Sequence, residues 1–333
     1  MMAVVLRRVC LAGTLCATLL VAACAPYRVQ ETDPSLAVEP FRELVETPFF
    51  PQDQYQCGPA SLATVLNTAG AGVSPQQLQP LVYLPGNKGS LQAEMLAAAS
   101  HYGYLAVPVP PDLDSLLQEL SAGRPVLVLQ NLGVEALPVW HYAVVIGYDL
   151  EQRIFYLRSG RDRRKVYSFG RFLKTWSRAG YWAMVVVEPG EVPVSATATA
   201  YLQAASALER QHNPAAALRA YAAATRRWPD QYLLWAAAGN AAYTLERYAD
   251  AEAAYREALS LQPGAVPIMN NLALALAAQG CTPTALAVLD CAIRQAPANS
   301  VLDKTLNEIN ELNKEAADCR GFTCILPGTE MQP

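Results

Sequence analysis

One cysteine and one histidine in this chain could carry nucleophilic chemistry. Cys57 sits in Gln52-Asp53-Gln54-Tyr55-Gln56-Cys57-Gly58-Pro59-Ala60-Ser61-Leu62-Ala63, where polar residues lead in and a helix-forming run to Asn67 follows. A cysteine at the start of a helix faces free main-chain N–H groups and the positive end of the helix dipole. Both favour the thiolate, the nucleophilic form, so the Cys57 thiol is expected to ionise easily. Thiol catalysis also needs a base within hydrogen-bond reach and donors for the oxyanion. The histidines are His101, His141 and His212. His141 opens the apolar run His141-Tyr142-Ala143-Val144-Val145-Ile146-Gly147-Tyr148, and a half-exposed imidazole at a strand entry suits a base. His101 ends an Ala-rich helical stretch and His212 lies in a repetitive helical region; both read as ordinary surface or packing residues.

Cysteine usage separates Cys57 from the rest. Arg7 and Arg8, the apolar stretch Val9–Leu20 and the small residues before Cys24 form an N-terminal address too short for a comfortable membrane span. Val21-Ala22-Ala23-Cys24 resembles a bacterial lipobox, which implies cleavage before Cys24 and lipid on that cysteine. Ala25, not Asp, at the second mature position points to the periplasmic face of the outer membrane. Cys10 and Cys16 leave with the address. Cys57, Cys281, Cys291, Cys319 and Cys324 remain, and outside the cytoplasm an odd cysteine is the candidate reactive thiol. A helix over 281–291 would hold its ends about 15 Å apart, which excludes a bridge between those two. Two bridges joining Cys319 and Cys324 to Cys281 and Cys291 are expected, with the connectivity open.

Several elements must position the pair. Pro26, Pro34 and Pro40 mark a tether. The helix from Cys57 ends near Gly70. Ser74-Pro75-Gln76-Gln77 is a helix start with Ser as cap, Pro first, and Gln three residues on. Ser90 can cap a helix to about Tyr102, and Asp112 or Asp114 begins one closed by Gly123. Strands are expected at 125–130, 141–148, 153–158 and 181–187, with a short helix over 170–177 between the last two. Helices first and strands after argue for an α+β domain.

Glu188 to about Ala198 reads as a linker. Beyond it Pro229, Pro263 and Pro297 recur 34 residues apart, as do Ala217, Ala251 and Ala285, then Tyr221, Tyr255 and Leu289, then Ala224, Ala258 and Ala292. With Trp235 and Gly239 in place, this period resembles three tandem tetratricopeptide repeats. Small alanines let paired helices approach, the Tyr or Leu fills the gap between pairs, and a final polar helix from Val301 caps the stack.

The box around Cys57, together with the His141 strand, resembles the bacteriocin-processing (double-glycine leader) peptidase family. The fold of that family is papain-like, with the same Cys-before-His order. The chain looks closest to its stand-alone lipoprotein branch with a tetratricopeptide tail. The resemblance implies Cys57 as nucleophile, His141 as general base and Gln52 as oxyanion-hole side chain, with Gln54 a lesser candidate because the spacing varies. It departs from the family where an Asp-Pro should follow the next strand: the slot reads Leu157-Arg158-Ser159-Gly160. Ser159 occupies the usual Asp position, Arg158 lies beside it, and Asp162 or a main-chain carbonyl could orient the imidazole instead.

The expected chain is therefore an α+β papain-like cysteine peptidase domain followed by an all-α tetratricopeptide-repeat domain. Its parts are a lipoprotein signal at 1–23, a tether at 24–44, the peptidase domain at 45–188, a linker at 189–197, repeats at 198–299, and a capping helix with a cysteine-containing tail at 300–333. The expected function is a lipid-anchored envelope peptidase acting on peptides or proteins, with a protein partner on the repeats. A net charge of −4 without a basic patch argues against nucleic acid, and no cofactor or metal is called for. The alternatives are a catalytically weak or inactive peptide-binding scaffold, favoured by Ser159, and an acyl or amide transferase on the same Cys–His machinery.

Overall fold

A computed structural model describes residues 37–51, 56–87, 89–311 and 319–324. Cys24 and the signal therefore lie outside the described residues. The first domain is a fully antiparallel sheet with helices on both faces. The strands are β1 Phe41–Glu43, β2 Leu105–Pro108, β3 Val126–Asn131, β4 Trp140–Asp149, β5 Ile154–Ser159, β6 Asp162–Ser168 and β7 Ala183–Val187. They run in the order β2-β7-β3-β4-β5-β6, and β1 also pairs with β4. At Gly147 a Cβ would lie 2.3 Å from the Arg42 carbonyl oxygen, so the approach of β1 to β4 requires glycine there.

The helices of this domain are α1 Cys57–Thr68, α2 Pro75–Val82, α3 Gln92–His101, α4 Leu113–Ser121 and α5 Phe169–Ser177. Caps encoded locally set several starts. Ser74 and Gln77 form a capping box before Pro75, Asp112 caps α4, and Ser168 caps α5. Ser90 does not cap α3: Leu91 takes that position. Ser90 instead packs on α1, where a Cβ on Gly58 would fall 2.2 Å from its hydroxyl oxygen.

The sheet has two cores. On one face Leu62 and Leu66 of α1, Leu78 of α2 and Met95 of α3 pack with Tyr142, Val144 and Ile146 of β4. On the other, Leu116 and Leu120 of α4 and Phe172 and Trp176 of α5 cover Val126, Val128, Ala143 and Val145. Alternation along β4 sends successive residues to opposite cores.

Three strands were not expected. β1 and β2 are too short to show a period, and β2 ends in Pro108. β6 reads Asp-Arg-Arg-Lys-Val-Tyr-Ser and is an edge strand on which only Tyr167 is buried. Charge on an edge blocks further pairing. Arg164 there lies over the Tyr156 ring and binds both oxygens of Glu43.

From Ala198 onward the described chain is helical up to the tail. The helices are α6 Ala198–Arg210, α7 Pro214–Arg227, α8 Tyr232–Thr244, α9 Tyr248–Leu261, α10 Val266–Ala278, α11 Thr282–Gln295 and α12 Ser300–Glu311. Every member of the period sets at 217/251/285, 221/255/289 and 224/258/292 is buried. At Gly239 a Cβ would lie 2.4 Å from the Tyr255 ring, so a side chain there would force α8 and α9 apart.

The stretch read as a linker is held in place. Fully buried Glu119 accepts from the Ser195 N–H and hydroxyl, each at 2.7 Å, and Arg124 bridges Glu119 and Glu191. Tyr201 and Ala205 of α6 continue the apolar core beneath α4 and α5. The tail is fixed by bridges Cys281–Cys319 and Cys291–Cys324. Among the described cysteines only Cys57 is free.

Candidate active site

Cys57 is the first residue of α1, after Gln56, which provides no side-chain cap. The thiol is partly buried against the core beneath α1. The main-chain N–H groups of Tyr142, Gly58 and Cys57 itself favour the thiolate, but burial outweighs them and pushes the Cys57 thiol up. The helix start therefore does not deliver the readily ionised thiol expected. Its donors are present, and desolvation wins. The contact with the Tyr142 main chain brings Cys57 to the residue next to His141.

His141 is partly buried near the start of β4, and burial, reinforced by the nearby charge of Lys165, pushes its pKa down to about 4. Its Nε2 lies 2.9 Å from Ser159 Oγ. Ser159 is the last residue of β5, paired across a two-residue turn with Asp162. Gly160 takes φ +62° in that turn, a value proline cannot adopt. Asp-Pro is thus replaced by Ser-Gly as a unit: a different turn, and a hydroxyl on the imidazole in place of a carboxylate. Asp162 does not take over as orienter. Its carboxylate is mostly exposed and holds Lys165 Nζ at 2.6 Å.

The hydrogen bond bears on the tautomer. If Nε2 carries the proton and donates to Ser159 Oγ, Nδ1 is free to accept one; the opposite arrangement leaves no basic nitrogen for a thiol. Ser159→Ala is expected to lower kcat/KM roughly tenfold with KM nearly unchanged, the cost of about one hydrogen bond. Ser159→Asp is expected to move the His141 titration, read by NMR, upward by about one unit or more, because a carboxylate favours imidazolium.

Burial of His141 also sets a stability profile. Between about 4 and the ordinary 6.5 the unfolded chain binds a proton that the folded chain does not. This contribution is complete above pH 6.5 and is lost as pH falls towards 4. Thermal melts of the wild type should decline across that window, and His141→Gln should flatten that part of the profile.

Three further residues shape the site without an obvious sequence signal. Arg158, buried, donates to the Thr47 carbonyl at 2.8 and 3.2 Å and to the Val45 carbonyl at 2.9 Å. It thereby anchors the chain segment that precedes Gln52 in the sequence. Gln52 and Gln54 themselves lie outside the described residues. Gln130, cross-strand from His141, donates to Thr175 Oγ1 at 2.7 Å. Lys165 was hidden in the charged run of β6. His101 stacks edge-on against Tyr102, and His212 is exposed beyond α6, both away from the pair. Among the described residues no group of three His, Cys, Asp or Glu could hold a metal, and no helix is long and apolar enough to cross a membrane.

The model of the Peptidase_C39 like family matches residues 26–184, and a tetratricopeptide repeat model matches 202–266 and 237–300. The chain carries a Peptidase_C39-like domain followed by tetratricopeptide repeats. The C39-like domain contains Cys57, His141 and Ser159. Among solved structures, a protein described as a C39-like peptidase from Bacillus anthracis is 21% identical, with 44% of this chain and 98% of that chain covered at TM-score 0.38. A double glycine motif protease from an AMS/PCAT transporter, solved with its leader peptide, is 19% identical, with 43% and 91% covered at TM-score 0.33. The first tetratricopeptide domain of Spaghetti (RPAP3), bound to an HSP90 peptide, is 18% identical, with 34% and 90% covered at TM-score 0.33. A comparison with curated proteins gives no match.

Proposed function

We propose that the protein is a cysteine peptidase of the cell envelope, anchored by lipid on Cys24, with the repeats engaging a protein partner. The observation that carries the peptidase reading is the His141 Nε2–Ser159 Oγ contact beside a free thiol lodged on the Tyr142 main chain. The resting pair is a neutral thiol and a neutral imidazole. As Cys57 sulfur attacks a peptide carbonyl, the thiol proton passes to His141 Nδ1. The carbonyl oxygen becomes an oxyanion, received by the Cys57 N–H and the Gln52 amide. Collapse breaks the C–N bond, and His141 returns its proton to the leaving amine. Water, deprotonated by the same nitrogen, then releases the acid from the thioester.

The supporting features for an envelope location are the two bridges, which persist in oxidising compartments, and the lipobox-like sequence. A second reading, a weak or inactive peptide-binding scaffold, draws on one observation: His141 faces a hydroxyl and a lysine charge, and among the described residues no carboxylate acts on it to stabilise imidazolium. Mass spectrometry of a defined peptide library incubated with wild type and with Cys57→Ala separates them. Cleavage products confined to the wild type support the peptidase, and identical spectra contradict it.

A further inference from the structure

A groove in the repeats opens between α7 and α9, with α8 as its floor. It has a volume of about 800 Å³. It is distinct from the smaller cleft bounded by Asn240 of α8 and Asn271 of α10. Leu218, Trp235 and Ala254 give it an apolar base. The Trp235 ring is held by its Nε1–H, which donates to the Pro229 carbonyl at 2.8 Å.

The rim is basic, although the chain as a whole carries a net charge of −4. Arg219, Arg247, Arg256 and Arg320 border the groove against Asp250 and Glu257. Arg247 is neutralised by Asp250 at 2.7 Å and Arg256 by Glu252 at 2.8 Å. Arg219 and Arg320 have no carboxylate partner among the described residues.

Arg320 reaches this rim because of the disulfides. It follows Cys319, which is tied to Cys281, and Cys324 closes the far side through Cys291. Arg256 completes the attachment, donating to the main-chain carbonyls of Arg320 at 2.7 Å and Gly321 at 3.1 Å. One wall of the groove is thus a piece of tail, held by two bridges.

We propose that the α7/α9 groove binds a protein segment carrying carboxylates beside apolar side chains, and that this site is complete only with both bridges closed. Carboxylates would meet the guanidiniums of Arg219 and Arg320, which hold no carboxylate among the described residues, and an apolar anchor would cover Trp235 and Leu218. Guanidinium forks favour carboxylates, and an apolar floor with a few placed charges is the usual form of a binding site. This inference rests on the repeats being a binding module and is independent of the peptidase reading.

The test uses the full-length oxidised protein and short dye-labelled peptides read by fluorescence anisotropy: one of glutamate and leucine, one with lysine for glutamate, one with serine for leucine. Only the first should bind. Arg219→Glu and Arg320→Glu should each weaken it about tenfold or more, the scale of a lost charge-assisted contact. The Cys281→Ser/Cys319→Ser variant should weaken it in the same direction, and Asn240→Ala with Asn271→Ala should leave it unchanged. Far-ultraviolet circular dichroism checks that each variant keeps its helices. Binding lost in the asparagine variant but kept in the arginine variants would overturn the groove while sparing the binding-module reading. Absence of binding, binding of the lysine peptide, or binding of phosphatidylglycerol vesicles in place of the peptide would overturn the proposal outright.

Discussion

Replacing His141 by alanine is expected to lower kcat/KM about a thousandfold or more at neutral pH, within the range for losing a general base. The reason lies in the state of the thiol. Burial pushes Cys57 up despite three main-chain donors, so little thiolate exists at rest and attack depends on a base that takes the proton during the reaction. An enzyme with a preformed thiolate would depend less on its histidine for the first step. Raising the pH should therefore restore part of the His141→Ala activity, as hydroxide ionises the thiol directly, whereas Cys57→Ala should stay inactive at every pH. Peptide hydrolysis followed from pH 6 to 10, a span that crosses the ordinary thiol value of 9.0, distinguishes the two variants. Equal pH dependence for both would count against a neutral resting pair.

Opening the two bridges is expected to give the largest loss of stability. They close stretches of 38 and 33 residues, and the loop-closure relation assigns about 4 kcal/mol to each, less in combination because the loops interleave. Their effect is concentrated in the last repeat. Cys281 immediately precedes α11 and Cys291 is fully buried within it, so the tail clamps the end of a stack whose terminal unit has a neighbour on one side only. Calorimetry with and without reductant should show the repeat transition falling by roughly 20 °C or more, on the usual scaling of stability with melting temperature. The transition of the C39-like domain should move less, since the described part of that domain holds no bridge. A uniform shift of both transitions would mean that the shared core through Tyr201 and Ala205 couples them into one unit.

How much of this could be read from sequence depended on how local the physics is. The repeats were legible because each helix pair contacts only its neighbours, so the spacing of Ala217, Ala251 and Ala285 maps directly onto packing. The capping box at Ser74 was legible for the same reason. Reach alone excluded a Cys281–Cys291 bridge, but choosing partners for Cys319 and Cys324 required the path of the tail. Strand β6 was missed because an exposed edge carries charge, not apolar alternation. The direction of the Cys57 shift was misjudged because the helix terminus is a sequence-local feature, whereas burial comes from the sheet. The third site residue shows the same divide. The sequence places Ser159 in the Asp slot, but only the turn at Gly160 shows that the hydroxyl reaches His141 while Asp162 holds Lys165.

The central claim is that Cys57 is a nucleophile activated by His141. Intact-mass measurement after incubation of the folded protein with a peptidyl acyloxymethyl ketone at neutral pH tests it most directly. A single adduct is expected on the peptide containing Cys57, formed slowly or not at all in His141→Ala and absent in Cys57→Ala. An unmodified folded wild type, or an adduct that forms equally fast without His141, would contradict it.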